Sequence, residues 1–220
     1  MISITLTIII LSVVISIMAF RDHALMAKLI FYPPAVQSGE WYRLLSYGVL
    51  HADFTHLIFN MFTLYLFGTA VENACKAALG STAGGACFLT LYVLSLSVSI
   101  LPTYFKQKSN AYYRSLGASG AVSAVVFAYI LINPMSFMGI LFIPIMLPAF
   151  LFGIIFILIS VRLDKQQTGG INHSAHITGG IFGILFTIAA FMIIGNINLL
   201  QHFFNQIHIQ SIGDLIHFGY

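Results

Sequence analysis

The chain has 220 residues, of which 59% are hydrophobic and 7% charged, with a formal net charge of +3 at pH 7 and a mean hydropathy of +0.96. Soluble domains carry roughly 25% charged residues, so this composition excludes an ordinary water-soluble fold and describes an integral membrane protein. The small positive charge gives no basis for nucleic-acid binding, and the length suits one compact domain.

Six apolar segments are predicted to cross the bilayer: residues 2–20, 56–71, 84–101, 119–133, 139–160 and 174–194. About 20 such residues in a helix traverse a hydrocarbon layer of ~30 Å. The first segment lacks a basic start and is long enough to span, so it reads as a helix rather than a signal peptide. Loop 21–55 is the longest and carries Pro33, Pro34, Glu40, Trp41 and Arg43, which predicts interfacial structure and partial embedding. Cys75 and Cys87 flank a short loop and read as apolar core cysteines, with a disulfide as the alternative. In the tail, Leu199, Leu200, Phe203, Phe204 and Ile207 recur at helical spacing. Either an interfacial amphipathic helix or a tail packed on the helix ends fits them. The expected organisation is an all-α, polytopic membrane domain over 1–195 and an appended tail over 196–220.

Counting crossings locates the polar residues. If the long first loop lies on side X, the second, fourth and sixth segments all begin at X, which brings His56, Asn60, Ser119 and His176 to one face at similar depth. The fourth segment, about 15 residues, is roughly 22 Å long and too short for the full layer. Asn133-Pro134 ends it, because the residue before proline avoids helical geometry. With that end at the far interface, Ser119 starts well below the X surface. Backbone at such depth must line protein or a water-filled cavity.

The residue types at this depth suit nucleophilic chemistry. In Gly117-Ala118-Ser119-Gly120 the glycines permit a sharp loop-to-helix turn and close approach of a substrate backbone. The free amides at a helix start, Ser119 N–H among them, suit a developing oxyanion. A serine hydroxyl needs a base, and His176 is the candidate. By itself the turn also fits the small-residue packing common between membrane helices. His176, Gly179, Gly180 and Gly183 share one helical face, matched by Ser119, Gly120, Ser123, Ala124 and Ala128, so two smooth faces headed by reactive residues are predicted to meet. His56 and Asn60, four apart, share a face as oxyanion donors or as partners of a neighbouring backbone. His51 and His173 read as loop histidines nearer the surface.

Over 40–183 these residues resemble the rhomboid intramembrane serine proteases. The family's Gly-Xaa-Ser-Gly is similar to Gly117 to Gly120, and its Ala-His-Xaa-Xaa-Gly-Xaa-Xaa-Xaa-Gly to Ala175-His176 with Gly179 and Gly183. Its His-Xaa-Xaa-Xaa-Asn matches His56 and Asn60, and its Trp-Arg loop resembles Glu40-Trp41-Tyr42-Arg43, with Tyr42 inserted. Bacterial members often place an aromatic residue one turn after the serine, where this chain has Ser123.

The resemblance implies a six-helix rhomboid-like bundle that hydrolyses peptide bonds in transmembrane protein substrates among membrane lipids, without metal or cofactor. Ser119 would be the nucleophile, His176 the base, His56, Asn60 and the Ser119 amide the oxyanion site, and Gly117, Gly120, Gly179, Gly183, Glu40 and Arg43 structural supports. None of the six acidic residues lies mid-helix near His176 to complete a triad. The family's orientation, in a cell inner membrane with the site opening away from the cytoplasm, puts most Lys and Arg residues on the X side and only Lys76 opposite. The positive-inside rule predicts the reverse. Two other readings are a catalytically silent relative that binds membrane helices, and a haem or metal carrier using His51, His56, His173 and His176. The carrier leaves the glycine-serine turn unexplained.

Overall fold

Helix α1 (Ile4–Arg21) starts where the Ser3 hydroxyl accepts the Leu6 amide, and Asp22 both ends it and caps α2 (His23–Leu29) by accepting the amides of Ala24 and Leu25. The computed structural model describes residues 3–139, 143–166 and 172–218, so Ile2 and Tyr220 lie outside the described residues. Two prolines preset the first turn of α3 (Pro33–Gln37), and α4 (Arg43–Ser46) runs into a 3-10 turn at Tyr47–Val49. The long first loop is therefore a chain of short helices.

Asp53 caps α5 (Phe54–Thr63), which passes through a π-helical turn at Leu64–Gly68 into α6 (Thr69–Leu79). Together they make one apolar stretch of 26 residues, Phe54–Leu79. This extends the expected 56–71 segment and moves Glu72, Cys75 and Lys76 into helix. Only Gly80, at φ +84°, separates it from α7 (Ser81–Gln107), which contains Pro102. Cys75 and Cys87 are buried and free, as apolar core cysteines should be.

Helix α8 (Ser119–Ile132) is the centre of the bundle, with eleven of its 14 residues buried. The chain then departs from expectation. The apolar run from 139 predicts a helix, whereas β1 (Phe137–Gly139) and β2 (Ile145–Pro148) pair antiparallel, and α9 (Ala149–Gln166) begins only afterwards. Pro144 and Pro148 lack the amide hydrogens a helix interior uses, while an apolar run without charges conceals the strands in the sequence.

Helix α10 (His173–Gly195) packs along α8 through glycine. A Cβ on Gly179 would strike the Gly120 carbonyl and one on Gly183 the Ala124 carbonyl, so the two predicted small-residue faces do meet. In the tail, α11 (Leu199–Gln206) docks on α8, with Leu199 buried and Gln206 Nε2 donating to the Ile132 carbonyl at 3.1 Å. The short β3 (His217–Phe218) adds to β2.

Among the described residues four apolar helices meet the length for a membrane crossing: Ile4–Arg21, Phe54–Leu79, Ser81–Gln107 and His173–Gly195. The shorter α8 runs inside them. Helix α9, of 18 residues, carries Arg162, Asp164 and Lys165 in its last turns and buries only Ala149, Gly153 and Ser160. These six elements form an all-α membrane bundle.

Candidate active site

The turn before α8 is set by Gly117, whose φ of +114° lies in the region that glycine tolerates. Its amide donates to the Tyr47 carbonyl at 3.0 Å, fixing the turn to the first loop. A Cβ there would also lie 2.7 Å from His56 Cε1 and 2.9 Å from Nε2, so the bare glycine makes room for an imidazole. Helix α8 has no side-chain cap at its start, in contrast to α1, α5 and α10. Its first amides, beginning at Ser119, stay free of side-chain acceptors.

Helix α10 brings the imidazole. Asn172 caps it, accepting the Ala175 amide at 3.0 Å, and is tied to Thr103 of α7 by hydrogen bonds of 3.1 and 2.9 Å. One turn later His176 Nε2 lies 2.8 Å from Ser119 Oγ. The two residues, 57 apart in sequence, meet at the wall of a cavity of about 430 Å3. Phe59, Phe62 and Leu66 line it from the second span, Val122, Ser123 and Val126 from α8, and Phe152, Gly153 and Phe156 from α9. The pocket is thus a largely apolar slot, with Ser119 and His176 beside Ser123 and Thr63 as its polar lining.

His56 and Asn60 are arranged behind this pair. The Ala52 amide donates to His56 Nδ1 at 3.4 Å, so the ring hydrogen resides on Nε2, the atom that overhangs Gly117. Asn60 is buried and donates one amide hydrogen to the His56 carbonyl at 3.0 Å. His56 thus stands against the serine turn and Asn60 is joined to it, while neither is among the residues lining the cavity.

Of the two histidines read as loop residues near the surface, His51 does lie in the loop before α5 but is buried, and His173 is half-buried as the first residue of α10. His51 is fully buried, and its ring stands edge-on to His56 with centroids 5.1 Å apart. Ser16 of α1 donates its hydroxyl hydrogen to the Val49 carbonyl at 2.8 Å and so accepts from His51 Nδ1 at 2.9 Å. Burial pushes the His51 imidazole down to about 4, which keeps it neutral at physiological pH. His173 opens α10, with its ring edge-on to His176 at 5.9 Å and its Nδ1 buried without a hydrogen-bond partner among the described residues. Among the described residues no group of three or more His, Cys, Asp or Glu is placed to hold a metal ion.

Glu40 and Arg43 fold the first loop. Arg43, nearly buried, donates to Glu40 Oε2 at 2.7 Å and to the Ala27 and Ile30 carbonyls at 2.8 and 2.7 Å. Tyr42, the inserted residue, also donates to Glu40 at 2.7 Å. Its hydroxyl and the Arg43 guanidinium hold the Glu40 carboxyl below its usual range. Gly120 leaves space for Ser99 of α7, and Gly179 and Gly183 seat α10.

Sequence reasoning missed three residues here. Asn172 had the mark of an N-cap three residues before Ala175. Ser16 and Phe156 had none, since serine and phenylalanine within an apolar helix announce no partner. The Phe156 ring lies 6.2 Å from that of His176, at an interplanar angle of 30°.

A family model described as the Rhomboid domain matches residues 38–193. YdcA of Bacillus subtilis is 35% identical over 99 residues, 45% of this chain and 45% of its own length. RHOMBOID-like protein 12, mitochondrial, of Arabidopsis thaliana is 28% identical over 170 residues, 73% of this chain and 49% of its own. Rhomboid protease GluP of Bacillus subtilis is 38% identical over 88 residues, 40% of this chain and 15% of its own. The chain spans less than half the length of the curated relatives it matches. With the match running from the first-loop helices almost to the end of α10, and the membrane bundle beneath it, this chain belongs to the rhomboid family.

Proposed function

We propose that the protein is an intramembrane serine endopeptidase that cleaves transmembrane protein substrates with a Ser119–His176 dyad. The observation that carries this reading is the 2.8 Å approach of Ser119 Oγ to His176 Nε2 at the wall of a cavity inside an apolar bundle. A substrate segment unwound in the slot between α5 and α9 would present its carbonyl to Oγ. As Oγ attacks, its hydrogen passes to His176 Nε2 and the carbonyl becomes a tetrahedral oxyanion. The Ser119 amide, His56 Nε2–H and the second Asn60 amide hydrogen are the donors for that charge. The C–N bond then breaks, with His176 returning the proton to the leaving amine, and water hydrolyses the acyl-enzyme by the same relay.

Residues 1–195 form the catalytic membrane domain in this reading, and 196–220 an appended tail. The site opens to the extracytoplasmic side of a cell inner membrane. Arg43 contributes little to the charge-rule conflict, because its guanidinium is committed to Glu40 and two carbonyls. Protease protection of loop 21–55 in oriented vesicles tests the orientation: protection from outside contradicts it. Cleavage of a model transmembrane substrate in liposomes tests the activity. Undiminished cleavage by Ser119→Ala or His176→Ala overturns the dyad.

A further inference from the structure

Among the described residues Ser119 Oγ is the single hydrogen-bond partner of the His176 ring. One bond at Nε2 does not fix the plane of an imidazole, whose χ2 rotamer is broad and roughly two-fold. The remaining orientation must come from packing, and two rings supply it. His173 stands at 83° to the His176 plane, one turn earlier on α10. Phe156 reaches across from α9 and lies near-parallel, at 30°.

Phe156 is itself held. Its ring packs on Phe127 of α8 with centroids 6.0 Å apart. Gly153, one turn earlier on α9, allows this approach, since a Cβ there would lie 3.3 Å from Phe127 Cε1 and 3.0 Å from Ile130 Cδ1. A row of rings thus runs from α8 through α9 to the imidazole on α10. Phe156 also lines the cavity beside Ser119.

We propose that Phe156 is a positioning residue for His176: from the cavity wall on α9 it holds the imidazole plane in line with Ser119 Oγ. The inference rests on the Ser119–His176 dyad proposed above. It places the ring that aligns the base on the wall of the cavity beside Ser119.

The test measures the rate of covalent labelling by a small fluorophosphonate, beside kcat and KM for a model transmembrane substrate, in Phe156→Ala, Phe156→Leu, Phe156→Tyr and Ile159→Ala. Ile159 is an exposed α9 residue and controls for general weakening of the helix. Phe156→Leu retains bulk without a ring face, and Phe156→Tyr retains the face. Loss of Phe156 is expected to lower both labelling rate and kcat about tenfold in the Ala and Leu variants, with KM within about twofold, a size set by an aromatic contact. The Tyr and Ile159 variants are expected to match the unaltered chain. A merely structural or substrate-lining ring would change KM and leave labelling alone. Labelling of Phe156→Leu at the unaltered rate overturns the inference, whatever the fold of Phe156→Ala, and leaves the dyad standing. Failure of the unaltered chain to label overturns the dyad and this inference with it.

Discussion

Two polar clusters sit within this bundle, at opposite ends, and they are built on opposite terms. At the start of α1, Glu72 is 2% exposed and accepts from Ser3 Oγ at 2.9 Å, the Ile4 and Thr5 amides at 3.0 and 2.8 Å, Thr5 Oγ1 at 2.7 Å and Lys76 Nζ. Both of its carboxylate oxygens are engaged. At the start of α8, Ser119 and His176 hold one hydrogen bond between them and border a cavity of about 430 Å3. A buried carboxylate with every partner present is a staple, joining α1 to α6. A reactive pair with partners left out, next to space, is arranged to receive something else. The helices differ in the same sense: α1 begins with a capped start, α8 with an open one.

The comparison breaks if the dyad proves to be a staple. Ser119→Ala and His176→Ala are expected to lower cleavage by about 10^4-fold or more, yet to leave the thermal unfolding midpoint in detergent within a degree or two; a large drop in stability would make the pair structural. His56→Ala comes next. Losing one oxyanion donor costs about 10^2 to 10^3 in kcat, and Asn60→Ala should cost less, since one of its amide hydrogens is already given to the His56 carbonyl. Steady-state kinetics on a model substrate reads both.

The Glu72 end should show the converse. Glu72→Ala leaves Lys76 and the α1 amides without their acceptor, so it is expected to cost about 3 kcal/mol of stability, with the folded fraction retaining its kcat. Denaturation monitored together with activity per active site separates the two. A fall in kcat with unchanged stability would erase the contrast.

The smallest effect belongs to Glu40. The Tyr42 hydroxyl and the Arg43 guanidinium lower its carboxyl from an ordinary value of 4.5, so the folded state favours the ionised form. That stabilisation is present above 4.5 and fades as the pH falls through the lower folded value. Glu40→Gln is therefore expected to melt slightly lower than the unaltered chain at pH 7, with the gap closing well below pH 4.5. A gap that persists in acid would mean the carboxylate charge is irrelevant to the loop.

How these clusters were written in the sequence also differs. The reactive one was legible because each part leaves a mark: glycines at 179 and 183 in register with Gly120 and Ala124, a histidine heading one face, a serine heading the other, and crossings that bring both to one side. The staple was not, because Glu72 and Lys76 were read past the end of the second span, and the π-helical turn that carries the helix on to Leu79 has no sequence signature. Strands β1 and β2 were hidden for a different reason. Their residues are as apolar as a membrane helix, and only Pro144 and Pro148 argued against one. Phe156 shows the limit most clearly. On a helix that exposes most of its aliphatic residues, one phenylalanine turned toward His176 looks like its lipid-facing neighbours until the fold sets the distance.

The most direct measurement of the central claim is peptide mapping by mass spectrometry after fluorophosphonate treatment of the detergent-solubilised protein. The account predicts a single adduct on Ser119 that disappears in His176→Ala. An adduct on another residue, or labelling of Ser119 at the same rate without His176, would contradict it.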